Sequence, residues 1–168
     1  MRLEARDIAL RAFTGADVPA IVEACQDPEI PRWTSIPSPY SEEDARRFLA
    51  GRPDSHDFAV VDAGTDELLG AVGFELVGDS RGHFGYWLKK EARGRGIASR
   101  ALRLLARWAA TEYGLARLQL VVEVRNIASI RVAERAGFER EGLLRSYLTI
   151  KGTRRDVYMY SLLAEDLR

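Results

Sequence analysis

A short glycine-rich segment carries the residues whose types and spacing point most directly to chemistry. In Arg93-Gly94-Arg95-Gly96-Ile97-Ala98, two glycines and two arginines stand directly before an apolar pattern of helical period. A helix N-terminus offers backbone N–H groups that have no partner inside the helix, and the helix dipole adds positive potential there. Glycine lets a ligand approach the backbone, and arginine adds charge-assisted contacts. The segment predicts a site for a phosphate-bearing ligand, and its alternative is a plain turn between strand and helix.

Two familiar phosphate motifs are excluded by the neighbouring residues. A P-loop requires Gly-Lys-Ser/Thr, which does not follow, and a dinucleotide fingerprint requires a third glycine where Ser99 stands. The strand before the segment also belongs to a run of strands at hairpin spacing rather than to a parallel strand-helix-strand unit. A nucleotide or dinucleotide enzyme is therefore disfavoured.

A second candidate segment runs from Asn126 to Phe138. Asn126 is a favourable N-cap residue, and Ser129 falls in the first turn of the helix that follows, so a purely structural role explains both residues. The helix pattern ends at Gly137, between Ala136 and Phe138.

The rest of the chain predicts a mixed α/β sheet that positions both segments. Strands are expected at 8–13, 57–62, 67–77, 82–89 and 116–125, followed by a long hairpin at 138–163 that turns at 151–153. Helices are expected at 15–25, 42–51, 97–113 and 127–136. Four prolines predict that residues 27–40 form a loop without a helix.

Composition bounds the class of protein. The 168 residues suffice for one domain, 1–168, with a substantial core. Lys+Arg and Asp+Glu each count 25, and a formal net charge of zero argues against broad nucleic-acid binding. Cys25 is the only cysteine, which excludes an internal disulfide and a cysteine-based metal cluster. No apolar run reaches the roughly 18 residues of a membrane span. Together with the net charge, this leads us to expect a cytoplasmic protein without a membrane or nucleic-acid partner.

Taken together, the two segments resemble motifs of the GNAT superfamily of acetyl-CoA-dependent N-acetyltransferases. The Arg93-x-x-Gly96-x-Ala98 loop is similar to the cofactor motif of that family, and Asn126 with Ala-Gly-Phe at 136–138 is similar to the motif that follows. Residues 126–145 resemble more narrowly the branch of ribosomal-protein N-terminal acetyltransferases of the RimJ/RimL type. Asp156, four residues after Gly152 in the last hairpin, fits the same branch.

The resemblance implies a mixed, mostly antiparallel sheet in which strands 83–89 and 117–125 splay apart around acetyl-CoA, with no metal. The pantetheine arm is expected to bind backbone near residues 87–89, and the pyrophosphate to bind amides of 93–98. The expected cofactor-binding residues are Trp87, Leu88, Lys89, Arg93, Gly94, Arg95, Gly96, Ile97, Ala98, Asn126 and Ser129.

Direct attack of an amine on a thioester requires three groups: a donor to the oxyanion, a donor to the leaving sulfur, and a base for the proton of the amine. A backbone N–H near Leu88 is the candidate for stabilising the oxyanion. Many members of the family place a tyrosine seven residues after the asparagine as the acid for the thiolate, but Ala133 stands there. Ser129 is what the RimJ/RimL-type branch offers instead, as a hydrogen-bond donor to sulfur. For the base, Glu75 is preferred over Glu123, because the strand before the cofactor strand commonly borders the acceptor site; the alternative for each is a solvent-facing position.

The acceptor itself stays open. With Glu75, the aromatic residues Trp33, Tyr40 and Tyr147 are candidates for binding it, although aromatic residues more often belong to the core. The acceptor is a protein N-terminus, as in the RimJ/RimL-like branch, or a small amine such as a metabolite, polyamine or antibiotic. A homodimer is common in this branch. The competing hypothesis is a non-catalytic module that binds acyl-CoA, and the length of the acyl group is also open.

Overall fold

The computed structural model describes residues 1–167, in which eight strands form one sheet with helices on both faces. In chain order the strands are β1 (Arg2–Ala5), β2 (Ile8–Arg11), β3 (Ser55–Asp62), β4 (Leu68–Leu76), β5 (Arg81–Leu88), β6 (Arg117–Glu123), β7 (Glu139–Ile150) and β8 (Thr153–Leu163). The helices are α1 (Val18–Ala24), α2 (Glu29–Trp33), α3 (Glu42–Ala50), α4 (Ile97–Glu112) and α5 (Ile127–Ala136).

The sheet has the order β1-β2-β3-β4-β5-β6-β8-β7. Every neighbouring pair is antiparallel except β5 and β6, which run parallel because α4 carries the chain from one strand to the next. The predicted mixed, mostly antiparallel sheet with flanking helices is confirmed. Across residues 1–167, no helix combines the length and apolar character that crossing a membrane requires.

Helix α4 forms because its apolar residues recur at helical spacing. Ile97, Ala101, Leu105 and Ala109 stand four residues apart, and all four are buried. Gly96 precedes the helix in the left-handed region with φ +70°, a conformation that glycine adopts without steric cost. Gly96, which belongs to the glycine-rich segment noted in the sequence, therefore fixes the start of α4.

Two apolar cores lie on opposite faces of the sheet. One face packs against α4 and α5 and contains large side chains from the sheet centre such as Leu118 and Tyr160. The other face packs against α1 and α3, and Trp87 of β5 lies at its edge. Helices α4 and α5, which follow Gly96 and Asn126, thus begin on one face of the sheet. The shorter helices α1 and α3 cover the other face.

Residues 27–40 are not wholly a loop, and that prediction was wrong for Glu29–Trp33, which forms α2. Pro31 is the third residue of this helix, where its missing N–H has no partner inside the helix in any case. Strand β1 was also missed, because four residues paired only with their own hairpin neighbour leave little periodic signal.

Candidate active site

The central feature of the sheet is that β5 and β6 pair only at their beginnings. Their register covers Arg81–His83 against Arg117–Gln119, three of the eight residues of β5, and the two strands separate beyond it. The Lys89 N–H donates to the Leu69 carbonyl oxygen on β4 at 2.9 Å. Because peptide groups alternate in direction along an antiparallel ladder, those of Tyr86 and Leu88 turn toward the split.

A cavity of about 590 Å³ lies at this split and is lined by residues on both faces of the sheet. Its walls include the starts of α4 and α5 on one face and residues of β3, β4, α2 and α3 on the other. The charged side chains along it fall into two groups, cationic on the first face and mainly anionic on the second. We call these two parts the basic half (Arg93, Arg135 and the N-termini of α4 and α5) and the acidic half (Asp57, Glu75 and Glu123).

The basic half has the features of an anion site. Gly94 and Gly96 both have positive φ, and a Cβ atom at Gly94 would meet no atom within 4 Å, so the backbone there is open to a ligand. Ser99, in the first turn of α4, is 8% exposed, and its Oγ has no hydrogen-bond partner among residues 1–167. A buried hydroxyl without a partner beside free helix N–H groups calls for an acceptor oxygen from a ligand.

Three residues predicted to bind the cofactor, Lys89, Arg93 and Arg95, are not placed for direct contact with a phosphate. The Arg93 guanidinium donates to the Leu88 carbonyl oxygen at 2.9 Å and pairs with Asp27 at 2.7 Å, so it braces the end of β5 while it lines the cavity. Lys89 pairs with Glu67, and neither Lys89 nor Arg95 lines the cavity. The other predicted cofactor residues all line it: Trp87, Leu88, Gly94, Gly96, Ile97, Ala98, Asn126 and Ser129.

At the junction of the two halves, two hydroxyl groups meet. Tyr86 Oη lies 2.5 Å from Ser129 Oγ and 3.3 Å from the Ser129 carbonyl oxygen. Burial raises the pKa of Tyr86 to about 12, so its hydroxyl stays protonated at neutral pH. Asn126 caps α5 by accepting from the Ser129 N–H at 3.1 Å, which fixes the turn that carries the serine.

In the acidic half, Glu123 is the most buried of the three carboxylates. It ends β6, is 6% exposed, and lines the cavity. Its Oε1 accepts from Arg125 Nε at 2.9 Å, but its Oε2 is buried and has no hydrogen-bond partner within residues 1–167. A buried carboxylate oxygen without a donor is costly, and it marks the place where a hydrogen-bond donor from a ligand is expected.

Glu75 stands at the rim of the cavity instead. Its side chain is 47% exposed and lies 3.5 Å from the Arg52 guanidinium. His83 is its cross-strand neighbour on β5, and burial lowers the pKa of that imidazole, so His83 is neutral at pH 7. The preferred base from the sequence is therefore the more solvated of the two candidate glutamates.

Asp57 is the third carboxylate of the acidic half and is half-buried. Burial raises its pKa, and Arg52 nearby acts in the opposite direction. Asp57 pairs with Gly73 in the sheet register, and paired residues in an antiparallel ladder point to the same face. Its carboxylate therefore shares the sheet face of Glu75 and His83.

The cavity includes only some of the residues predicted to bind the acceptor. Trp33 of α2 lines it, and its indole N–H donates to Glu29 at 3.2 Å. Tyr40 is 8% exposed within the core under α1 and α3, and Tyr147 is half exposed on β7, so neither reaches the cavity. Cys25 is also buried away from it, and burial raises the pKa of its thiol to about 12. The Cys25 thiol therefore does not reach a thioester bound in the cavity.

Sequence reasoning missed Asp57 and Tyr86. The signal for Tyr86 was its place in the alternating strand before the glycine loop, one position from Trp87. Its hydroxyl contact with Ser129 joins residues 43 positions apart, which no local pattern indicates. The sequence around Asp57 gave no signal by itself, because the position of Asp57 in the cavity depends on two glycines in other strands.

The profile of the family described as "Acetyltransferase (GNAT) domain" matches residues 7–139. The uncharacterized N-acetyltransferase p20 of Bacillus licheniformis is 30% identical over 168 residues, covering 95% of this chain and 94% of the relative. The ribosomal-protein-serine acetyltransferase of Escherichia coli is 32% identical over 129 residues, covering 72% of this chain and 71% of the relative.

Among solved structures, RimJ of Mycobacterium smegmatis in complex with CoA-disulfide has the same fold. Its TM-score is 0.86 at 23% sequence identity, and the match covers 95% of this chain and 83% of that one.

Proposed function

The chain belongs to the GNAT acetyltransferase family, and we propose that it transfers an acetyl group from acetyl-CoA to a primary amine by direct attack in a ternary complex. The observation that carries this proposal is the continuous cavity at the split in the sheet. It joins an anion site at two helix N-termini to an acidic surface on the opposite face. A donor and an acceptor that enter from opposite faces can meet there without a covalent enzyme intermediate.

The basic half fits a group that carries phosphates. Free N–H groups at the start of α4 and the Ser99 hydroxyl, which has no hydrogen-bond partner among residues 1–167, supply donors, and Gly94 leaves the backbone open. Acetyl-CoA, when bound, supplies a thioester carbon that an amine nitrogen attacks. We assign to the Leu88 peptide group, turned toward the split, the task of donating a hydrogen bond to the thioester oxygen.

Ser129 and Tyr86 form the donor pair for the leaving sulfur. When the Ser129 hydroxyl donates to sulfur, its oxygen is free to accept from Tyr86 at 2.5 Å. Successive hydrogen bonds polarise one another, so the tyrosine strengthens the donation by the serine. Tyr86 thus supplies from β5 a phenol that many family members carry on the helix, where this chain has Ala133.

For the proton that the amine loses, the geometry favours Glu123 over Glu75. Glu123 Oε2 is buried in the cavity with no donor from residues 1–167, whereas Glu75 is 47% exposed beside Arg52. An α-amino group has a pKa of about 7.7–8.0 and a lysine side chain about 10.4, so an N-terminal amine needs the smaller assistance at neutral pH. A peptide α-amine is the first acceptor to examine, because the E. coli relative is named as a ribosomal-protein-serine acetyltransferase.

The test combines binding with turnover on purified protein. Calorimetry is expected to show acetyl-CoA binding, and thiol detection is expected to show CoA release when peptides with free N-termini or small primary amines are added. N-terminally blocked versions of the same peptides, with no other primary amine, are the matched control and should release no CoA. Failure to bind acetyl-CoA at millimolar concentration would contradict the proposal, and binding without release for any amine would favour a non-catalytic acyl-CoA-binding module.

A further inference from the structure

The Asp57 carboxylate occupies a place that the sheet leaves vacant for it. Asp57 pairs with Gly73 on β4, and Gly73 pairs with Gly85 on β5, so three strands form one row across the acidic half. A Cβ atom at Gly73 would lie 2.2 Å from Asp57 Oδ1, whereas a Cβ atom at Gly85 would meet nothing within 4 Å. The carboxylate therefore leans over Gly73 toward β5, and the space above Gly85 is open.

The protein's own cations do not balance the negative charge of this half. Arg52 is 69% exposed, and this one guanidinium serves both Glu75 and Asp57. His83 is neutral, and Arg125 pairs with Glu123 Oε1 at 2.9 Å while Glu123 Oε2 stays buried without a partner among residues 1–167. Glu75 and Asp57 thus share one arginine, and one of these two carboxylates is left to pair with a cation of the acceptor. Glu123, which accepts the proton, is not one of the two.

Strand spacing sets the distance between that carboxylate and the reacting nitrogen. Neighbouring strands lie about 4.8 Å apart, so a carboxylate above Gly73 of β4 is roughly 5–8 Å from a point above the split between β5 and β6 that lies in the same row, beside Gly85. An extended chain of about four carbon atoms spans a similar distance between two nitrogen atoms. A second cation on the acceptor can therefore reach Asp57 while its amine lies at the split.

We propose that Asp57 binds a second cationic group of the acceptor, so that preferred acceptors carry an ammonium or guanidinium group roughly 5–8 Å from the reacting amine. The proposal rests on the proposed acetyl transfer and names its substrate class. Short diamines and peptides whose first residues include a lysine share this chemistry. Gly85 keeps the path between the two positions open.

The experiment compares matched acceptors that differ by one charge. One pair is 1,4-diaminobutane and n-butylamine; the other is a peptide beginning Ser-Lys and the same peptide beginning Ser-norleucine, with no other amine. In at least one pair, kcat/KM from CoA release is expected to be about tenfold higher for the dication, which equals about 1.4 kcal/mol. The pair that shows the preference identifies a small diamine or a peptide as the source.

Variants assign the preference to Asp57. Asp57→Asn should reduce the ratio between dication and monocation to below about threefold, because an amide keeps the shape and removes the charge. Gly85→Ala leaves Asp57 in place but fills the open path, and the ratio should fall there too. Asp54→Asn is the control, since Asp54 is exposed, lies outside the cavity, and has a positive φ that asparagine tolerates. Binding of acetyl-CoA with unchanged Kd verifies folding of each variant.

Equal specificity constants for both members of both pairs would overturn the Asp57 subsite while leaving acetyl transfer in place. A preference for dications that survives in Asp57→Asn would overturn it as well. No transfer to any of the four acceptors would count instead against the proposed function, on which the subsite depends.

Discussion

The two halves of the cavity are built in different ways. The basic half comes mainly from one continuous stretch, 93–99, and presents backbone N–H groups, open glycines and one serine hydroxyl. The acidic half comes from Asp57, Glu75 and Glu123 on three strands and presents side chains. Backbone groups bind a ligand feature whatever the side chains are, whereas side chains change with every substitution. The comparison teaches that donor binding is tied to the fold, while acceptor choice is set by separately placed residues.

The largest expected effect comes from placing a negative charge in the basic half. Ala98→Asp puts a carboxylate beside the proposed phosphate position, where like charges repel, and should weaken acetyl-CoA binding by about 100-fold or more, or about 2.7 kcal/mol. An acidic residue in the first turn is favourable to the helix dipole, but Ala98 is 8% exposed and packs in the core, so the Tm of the variant is measured beside its affinity to separate folding from binding. Arg107→Asp on the exposed face of α4 is the control. Equal affinity of Ala98→Asp and wild type in calorimetry would refute the anion site.

In the acidic half, Glu123→Gln should lower kcat by about 100-fold, since loss of a general base costs typically 10² or more. Acetyl-CoA affinity should stay close to that of wild type, because the carboxylate lies on the other side of the split. Glu75→Gln is the matched comparison and should lower kcat by no more than about threefold, since Glu75 is exposed. If the two variants exchange these magnitudes in steady-state kinetics, Glu75 is the base.

At the junction, Ser129→Ala should lower kcat by about 20-fold with little change in the affinity for acetyl-CoA, since it removes the hydrogen bond to the leaving sulfur. The backbone N–H that Asn126 caps is retained, so α5 should still form. Initial rates and calorimetry on the same preparation separate the two quantities. A weakened affinity with normal kcat would assign Ser129 to cofactor binding alone.

Tyr86→Phe should have a smaller effect, about threefold to fivefold in kcat, because it removes only the hydrogen bond to Ser129 and keeps the ring. The double variant is the sharper measurement, since two residues that act through one hydrogen bond are non-additive. In the Ser129→Ala background, Tyr86→Phe should cause no further loss. Full additivity would show that Tyr86 affects the rate by packing instead.

The smallest effect on activity is expected at the ion pair between Arg11 and Asp17, which lies outside the cavity. Arg11 and Asp17 form a bidentate ion pair at 2.9 Å that fixes the turn before α1, and the arginine lowers the pKa of the carboxyl. A lowered folded-state pKa contributes stability above the unfolded pKa of about 3.9, and that stability is lost as pH falls through the folded value. Asp17→Asn should therefore lower the Tm at pH 7 with near-normal kcat, and the difference from wild type should shrink below about pH 3.9. A Tm difference independent of pH would contradict the ion-pair account.

The same contrast explains what the sequence predicts. The glycine loop, its helix and the asparagine cap are local patterns, and they were sufficient for the mixed sheet and the GNAT family, both of which are confirmed. The row of Asp57, Gly73 and Gly85 depends on the register of two hairpins, which hydrophobic alternation does not fix to a single residue. Tyr86 reaches Ser129 only because β5 and β6 separate, and that separation is a tertiary feature. Tyr40 and Tyr147 show the converse, since aromatic type alone did not distinguish a core or surface position from a cavity wall.

The central claim is that donor and acceptor occupy the two halves of the cavity at the same time. Initial rates of CoA release, measured with acetyl-CoA and an amine acceptor both varied, test this claim most directly. A ternary complex predicts double-reciprocal lines that intersect. Parallel lines, the signature of an acetylated enzyme that releases CoA before the amine binds, would contradict it.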